Sequence, residues 1–326
     1  MTNGAAAAVS HPNIAFIKYW GNRQDNLRLP ANGSISMTLG GLLTRTSVRF
    51  DPQLLADQLT LNGQPASEEA RLRVSAHLEY IRGLSRSSGH AVVESQSDFP
   101  SAAGLASSAS AFASLTLAAC AAAALELDPR DHSRIARRGS GSACRSVFGG
   151  FVEAHAGESD LDGYAQQLAS PDHWDLVDWI VITSQAPKSV GSSEGHRLAA
   201  TSPLQAARVA DAPRRLNLCR QAILQRDFAA LASVVELDSN LMHAVMLTSQ
   251  PSLLYWQPET VELMRSISHW REQGLSVCYT VDAGPNVHCL CLGEQAEQVG
   301  RQLESLIPEA QLIRSGAGGP ARLVGA

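Results

Sequence analysis

The chain has 326 residues, 44% of them hydrophobic and 17% charged, with a formal net charge of −5. That balance excludes a disordered chain and suits one large or two ordinary domains with buried cores. It also argues against nucleic acid as the main partner, because counterion-release binding needs a basic face; a locally basic pocket for a small anion remains compatible.

Taken in chain order, "MTNGAAAAVS" has no basic start and no long apolar core, so it reads as a poor signal peptide. Residues 14–18 have strand character, and "NIAFIKYWGN" places Lys18 inside that apolar run. A buried ammonium is costly unless paired, so Lys18 is either a snorkelling lysine or a functional cation. Further strands are expected at 46–50 ("TSVRF") and 90–95 ("HAVVES"). Residues 100–110 then read "PSAAGLASSAS", where only Leu105 is bulky. An Ala-rich helix is expected to start within "LASSASAF" under a Ser107 or Ser108 cap, run to about Leu127 and stop at Asp128-Pro129. Its apolar run at 115–127 is shorter than the ~20 residues of a membrane span.

A second helix is expected over 129–138, ending at Gly139 as a left-handed C′ residue. "RRGSGSACRSVFGGF" at 137–151 offers Ser140, Ser142 and Arg145, either as a plain capped turn or as a carboxylate grip, since arginine presents parallel N–H donors. Strands follow at 147–154 and 174–184, helices at 204–226, 228–240 and 258–273, strands at 276–282 and 286–292, a helix at 294–306 and a strand near 310–314. "YTVDAGPNVH" sets Asp282 at a strand end before a Gly-Pro turn, as an Asx-turn carboxylate or a catalytic acid. "GAGGPA" at 316–321 is flexible by composition. The mixture of elements without regular βαβ repeats predicts an α+β fold of two lobes, 1–180 and 181–326. Six cysteines without a C-x-x-C pair read as small core residues of a reducing, cytoplasmic setting rather than a zinc ribbon.

The small-residue stretch has two readings. Backbone N–H groups at a helix start lack intrahelical partners and carry the positive end of the dipole, so a phosphate can lie against them where no side chain intervenes. Alternatively, the stretch is an Ala/Gly-rich helix start packed tightly against another helix. It is neither a Walker A motif nor a dinucleotide fingerprint.

Five stretches together, "NIAFIKYWGNR", "LPANGSISMTL", "DFPSAAGLASSASAFA", "RRGSGSACRSVFGGFVE" and "YTVDAGPNVH", resemble the mevalonate diphosphate decarboxylase family of the GHMP kinase superfamily, in the family's order and across nearly the whole chain. The resemblance implies a ribosomal protein S5 domain 2-like N-lobe, a ferredoxin-like C-lobe and an active site in the cleft between them. It implies ATP-dependent phosphorylation of the 3-hydroxyl of a 5-phosphorylated mevalonate, followed by loss of phosphate and CO₂, with ATP and Mg²⁺ as cofactors and a homodimeric assembly. Within it, Asp282 matches the catalytic aspartate, Lys18 the lysine beside it and Arg145 the arginine that holds the substrate carboxylate. Ser140, Ser142 and Tyr19 match substrate contacts, with Asn13 and Asn286 as further candidates. Ala103, Gly104, Leu105, Ala106, Ser107 and Ser108 match the ATP phosphate loop, and Ser107 is the candidate Mg²⁺ contact.

Two departures bear on the substrate. The family motif I-K-Y-W-G-K ends here in Asn22, and the V-S-S-R-x-G-M run corresponds to "VGSSEGH" at 190–196, with Ser193 in place of arginine. Arg23 and Arg197 lie near enough in sequence to substitute. Each charge-assisted contact contributes ~1.5–3 kcal/mol, so a pocket short of two cations suits a monophosphate better than a diphosphate. The expected reaction is therefore mevalonate 5-phosphate to isopentenyl phosphate. The diphosphate reaction is the alternative, and a mevalonate 3-kinase, another GHMP small-molecule kinase and a non-catalytic sensor are more remote.

Overall fold

The computed structural model describes residues 4–85, 89–99, 107–186 and 190–325. The first half runs β1 (Ala5–Ser10), β2 (Asn13–Ile17), β3 (Asn22–Gln24), β4 (Leu29–Pro30), β5 (Ser34–Thr38), β6 (Thr44–Asp51), β7 (Gln58–Leu61), β8 (Gln64–Pro65), α1 (Glu68–Ser85), β9 (His90–Ser97), α2 (Ser107–Ala122), α3 (Pro129–Gly139), a 3₁₀ segment (Gly141–Val147), β10 (Phe151–Ala154) and β11 (Ala165–Ala169). The second half runs β12 (Leu176–Ile182), α4 (Ser192–Leu198), α5 (Gln205–Gln225), α6 (Phe228–Thr248), α7 (Pro258–Glu272), β13 (Val277–Val281), β14 (Val287–Leu292), α8 (Ala296–Leu306), β15 (Gln311–Gly316) and β16 (Arg322–Val324).

The strands form a six-stranded sheet ordered β16-β1-β6-β9-β7-β8, a four-stranded sheet β11-β10-β5-β2, a second four-stranded sheet β13-β14-β12-β15, and the small β3-β4 pair. This is the mixed α+β architecture expected from the sequence. Residue 180 lies inside β12, and β16 crosses back to pair with β1. One core, built from Ile14, Phe16, Ile35, Phe151, Ile180, Ile223 and Val235 among others, runs continuously between the first-half sheet and helices α5 and α6. Each such large side chain contributes about 1.5–3 kcal/mol on burial, so the cleft between the halves rests on a firm floor. Among the described residues one helix, α6, is long and apolar enough to cross a membrane. Its Leu231, Val235, Met242 and Met246 are buried in the fold's own cores.

Helix α2 shows why that stretch is made of small residues. It lies against β1 and β6, and its serines join the strands: Ser10 Oγ donates to the Ser110 carbonyl (2.6 Å), Thr44 pairs with Ser110 (2.7 Å) and Thr46 with Ser114 (2.8 Å). β6 alternates strictly, with Thr44, Thr46, Val48 and Phe50 inward, so the same strand face supplies hydroxyls at one end and apolar contacts at the other. Residues 107–122 thus pack tightly, but chiefly on strands β1 and β6 rather than on another helix as expected, while residues 100–106 lie outside the described residues.

Several expectations are corrected. α2 ends at Ala122 rather than near Leu127, because Ala124 takes a left-handed backbone (φ +55°). Asp128-Pro129 starts α3 rather than stopping α2: Asp128 caps it by accepting the Asp131 N–H, with Pro129 in the first turn. Gly139 stays helical, and the chain leaves α3 through extended Ser140. Residues 141–147 form a 3₁₀ segment, so the strand expected from 147 starts only at Phe151. The 316–321 segment is held rather than loose: Ala317 bridges Leu39, and Gly318 donates to Thr38 and accepts from Gly150. β1, which is largely alanine, and α1 were not foreseen. In β1 the packing of α2 overrides weak strand propensity.

Candidate active site

A cavity of about 730 Å³ lies where β2, β13, the start of α2, the Ser140–Arg145 turn and α4 converge. Lys18 directly follows β2 and Asp282 directly follows β13, so two strand ends deliver both groups. Lys18 Nζ donates to Asp282 Oδ1 at 2.6 Å; the lysine side chain is 1% exposed and the aspartate 29%. The lysine is therefore paired rather than snorkelling, and the acid is the partner that faces the cavity.

The backbone of Lys18 is itself gripped. Its N–H donates to Asp238 Oδ2 on α6 (2.6 Å), and its carbonyl accepts from Arg208 on α5 (2.9 Å) and from Asn32 (3.0 Å). Arg215 donates to the other oxygen of Asp238 (2.7 Å). Asp238, Arg208 and Arg215 are all buried. Buried charges of this kind need partners on every side. Here Asp238 and Arg208 fix the peptide units on either side of Lys18, and Arg215 holds both of them through Asp238 Oδ1 and the Arg208 carbonyl.

Arg145 is buried, and its surroundings revise the expected two-point grip. Its Nε and Nη2 both donate to Asn13 Oδ1 (3.1 and 2.9 Å), while Nη1 donates to Ser34 Oγ (2.6 Å). Asn13 is oriented in turn by donating to Ser146 Oγ (2.7 Å). The side-on edge of the guanidinium thus belongs to the protein, and the end-on edge between Nη1 and Nη2 is the one available to a carboxylate. Burial lowers the Arg145 pKa, opposed by Cys144, Asp282 and Tyr19.

Hydroxyls connect the two regions expected to hold nucleotide and substrate. Ser108 pairs with Ser140 at 3.1 Å, and Ser140 with Ser142 at 3.4 Å; all three line the cavity, as does Ser107. Ala103, Gly104, Leu105 and Ala106 lie outside the described residues. Tyr19 lines the cavity, and burial raises its pKa, which keeps the phenol a donor. It packs so closely on Gly141 that a Cβ there would overlap its ring.

The structure separates other candidates. Asn22 is not among the cavity-lining residues; it accepts the Tyr19 hydroxyl and donates to Asp25 (2.8 Å). Arg23 is exposed and donates to the Gly157 carbonyl, away from the cavity lining. Ser193 and Arg197 do line it, with Arg197 paired to Glu194. Asn286 holds the turn after β12, accepting the Thr183 and Ser184 N–H groups, and is not part of the lining.

Sequence reasoning missed Arg28, Arg73 and His196, which all line the cavity. Arg73 donates to the Gly139 carbonyl (3.0 Å) and lies 4.6 Å over the Phe112 ring; burial and the neighbouring Arg28 lower its pKa to about 10. Nothing in the polar pattern of α1 marks Arg73 out. Arg28 adjoins a quoted motif and could have been found from its position alone. No group of three His, Cys, Asp or Glu able to hold a metal occurs among the described residues. Mg²⁺ carried by a nucleotide needs only one or two protein oxygens, and the hydroxyls of Ser107 and Ser108 with the Asp282 carboxylate are a compatible hard donor set.

Comparison with known proteins covers the same ground. Residues 10–165 match the diphosphomevalonate decarboxylase-like N-terminal domain, and residues 179–320 match the mevalonate 5-diphosphate decarboxylase C-terminal domain. The diphosphomevalonate decarboxylase of Aspergillus fumigatus is 37% identical over 93% of this chain and 80% of its own length. The crystal structure of mevalonate diphosphate decarboxylase from Staphylococcus aureus superposes with a TM-score of 0.96 at 36% identity, covering 99% of each chain. A further structure, solved in complex with MVAPP, AMPPCP and magnesium, gives a TM-score of 0.95 at 34% identity over 100% of each chain.

Proposed function

The chain belongs to the diphosphomevalonate decarboxylase family, and on that premise we propose that it uses ATP to decarboxylate a 5-phosphorylated mevalonate. The observation that carries this reading is the ion pair between buried Lys18 and half-buried Asp282, facing the same cavity as Arg145. Arg145, which lines the cavity and matches the family's carboxylate-holding arginine, argues against most other small-molecule kinases of the superfamily.

In this reading Asp282 orients the 3-hydroxyl and receives its proton as the hydroxyl oxygen bonds to the γ-phosphorus of ATP and ADP leaves. Lys18 keeps positive charge beside the reacting oxygens, where fixed charge in a water-poor site is effective. The end-on edge of Arg145 fixes the substrate carboxylate. The C3–O bond to the new phosphate then breaks, the C1–C2 electron pair becomes the C2=C3 bond, and CO₂ departs. Ser107 and Ser108, together with residues 103–106, would hold the ATP phosphates and their Mg²⁺, which supplies charge neutralisation when bound.

For the phosphate carried at C5, the relatives favour the diphosphate, giving isopentenyl diphosphate: they carry the name diphosphomevalonate decarboxylase, and Arg28 and Arg73 stand in the cavity wall. The monophosphate, giving isopentenyl phosphate, is the second reading. It is supported by Asn22 and Ser193, neutral where the family pattern has cations, with Asn22 tied to Asp25 rather than to the cavity. Measuring kcat/KM on both esters separates them. The monophosphate reading expects the wild type to prefer mevalonate 5-phosphate, and Asn22→Lys with Ser193→Arg to gain on the diphosphate. A wild-type preference for the diphosphate overturns it.

A further inference from the structure

His196 occupies the cavity wall and has no part in the reaction as derived above. It closes the "VGSSEGH" run, at the position where the family pattern has methionine. Its ring packs at a tilt of 32° on Tyr19 and 36° on Trp20, with centroids 4.1 Å and 4.7 Å away. Its Nδ1 lies 3.0 Å from the backbone nitrogen of Gly21. That nitrogen carries a proton, so Nδ1 must accept, and the ring proton resides on Nε2. Gly21 adopts φ +91°, so this turn is one that a side chain would strain. Burial, reinforced by the Arg28 and Arg208 cations, lowers the His196 pKa to about 3, and the ring is neutral at physiological pH.

The ring is thus fixed in position and in tautomer, and no described residue accepts from Nε2. The same cavity wall holds Tyr19, Arg28, Ser192, Ser193 and the paired Arg197 and Glu194, so hydroxyls and cations outnumber the one carboxylate, which Arg197 already engages. A directional N–H in such a setting suits a phosphate oxygen. Packing has already restricted the ring, so little further ordering is lost when a ligand binds. We propose that His196 is a specificity-determining residue whose Nε2–H donates to an oxygen of the substrate's 5-phosphate group, supplementing geometry where the family pattern relies on charge. The proposal rests on the function proposed above and adds to it the group that reads the phosphorylated end.

The test compares wild type, His196→Met and His196→Gln by calorimetry, with mevalonate 5-phosphate, mevalonate 5-diphosphate and ATP as ligands. One hydrogen bond to a charged group corresponds to roughly tenfold in affinity. His196→Met should bind whichever phosphorylated mevalonate the wild type prefers roughly tenfold more weakly, with ATP affinity within about twofold. His196→Gln, which keeps an N–H donor, should recover most of the loss. Equal weakening of ATP and mevalonate ester would show that His196 only packs Tyr19 and Trp20, and would overturn the proposal. So would a glutamine variant no better than methionine, or a methionine variant that binds like wild type. A wild type that releases no CO₂ from either ester overturns the function itself, and is read in the unmutated protein.

Discussion

Lys18 Nζ sits 2.6 Å from Asp282 Oδ1, although 264 positions separate them in the chain. Only the ends of β2 and β13, brought together by the shared core beneath them, make that contact. Asp282→Asn keeps the shape of the site and removes the charge and proton acceptor. We expect kcat to fall by about 10²–10⁴, the usual range for a positioned acid–base group, while ATP and substrate still bind. Calorimetry alongside turnover checks this; full activity in Asp282→Asn would exclude Asp282 from the chemistry.

Arg145 depends on Asn13, whose Oδ1 receives two of its N–H donors. Asn13→Ala should release the guanidinium from its pose. We expect it to lower kcat/KM by about tenfold, and Arg145→Lys by about a hundredfold, since lysine cannot reproduce a planar fork and small misplacement of a reacting group is costly. Adding Asn13→Ala to Arg145→Lys should cost little more, because Asn13 acts through Arg145. Steady-state kinetics on the double variant tests this, and fully additive losses would contradict it.

The peptide of Lys18 is held from the second half of the chain by Asp238 and Arg208. Asp238→Asn removes the charge opposite two buried guanidiniums, Arg208 and Arg215. Breaking a buried ionic group from one side costs about 3–5 kcal/mol, so the expected result is a marked drop in the thermal unfolding midpoint. An unchanged midpoint would show that these charges are not the clamp described.

Much of this site was legible because its residues stand in compact local signals. Lys18 interrupts an apolar strand, Arg145 follows a Gly-Ser turn, and Asp282 precedes Gly-Pro. The long-range partners were not legible. Asp238 and Arg215 sit on helical faces whose pattern reads as ordinary polar spacing, and Arg73 looks like one surface arginine among several in α1. Local rules likewise failed at β1, where four alanines form a strand because α2 needs a close approach, and at residues 316–321, where pairing with distant strands overrides glycine content. His196 carried no signal, since its tautomer and packing exist only in three dimensions.

Stability should depend on pH through buried histidines. Burial lowers the pKa of His77 to about 3, with Arg138, Arg73 and Arg28 reinforcing the shift, and burial lowers that of His243 to about 4. The unfolded chain takes up protons below about pH 6.5 that the folded chain refuses, so stability rises with pH up to that point and is flat above it. Acidification from pH 6.5 to 4 should therefore destabilise the fold. His77→Gln should reduce the slope by up to about 1.4 kcal/mol per pH unit. Denaturant unfolding across that range is the measurement; an unchanged slope in His77→Gln would contradict the assignment.

The most direct test of the account is product stoichiometry. ADP and ¹⁴CO₂ are followed together with mevalonate, its 5-phosphate and its 5-diphosphate, each labelled at the carboxylate. Convergence of Lys18, Asp282 and Arg145 on one cavity predicts equal release of ADP and CO₂ from a phosphorylated mevalonate. ADP formed without CO₂ would make the protein a kinase and leave the carboxylate role of Arg145 without support.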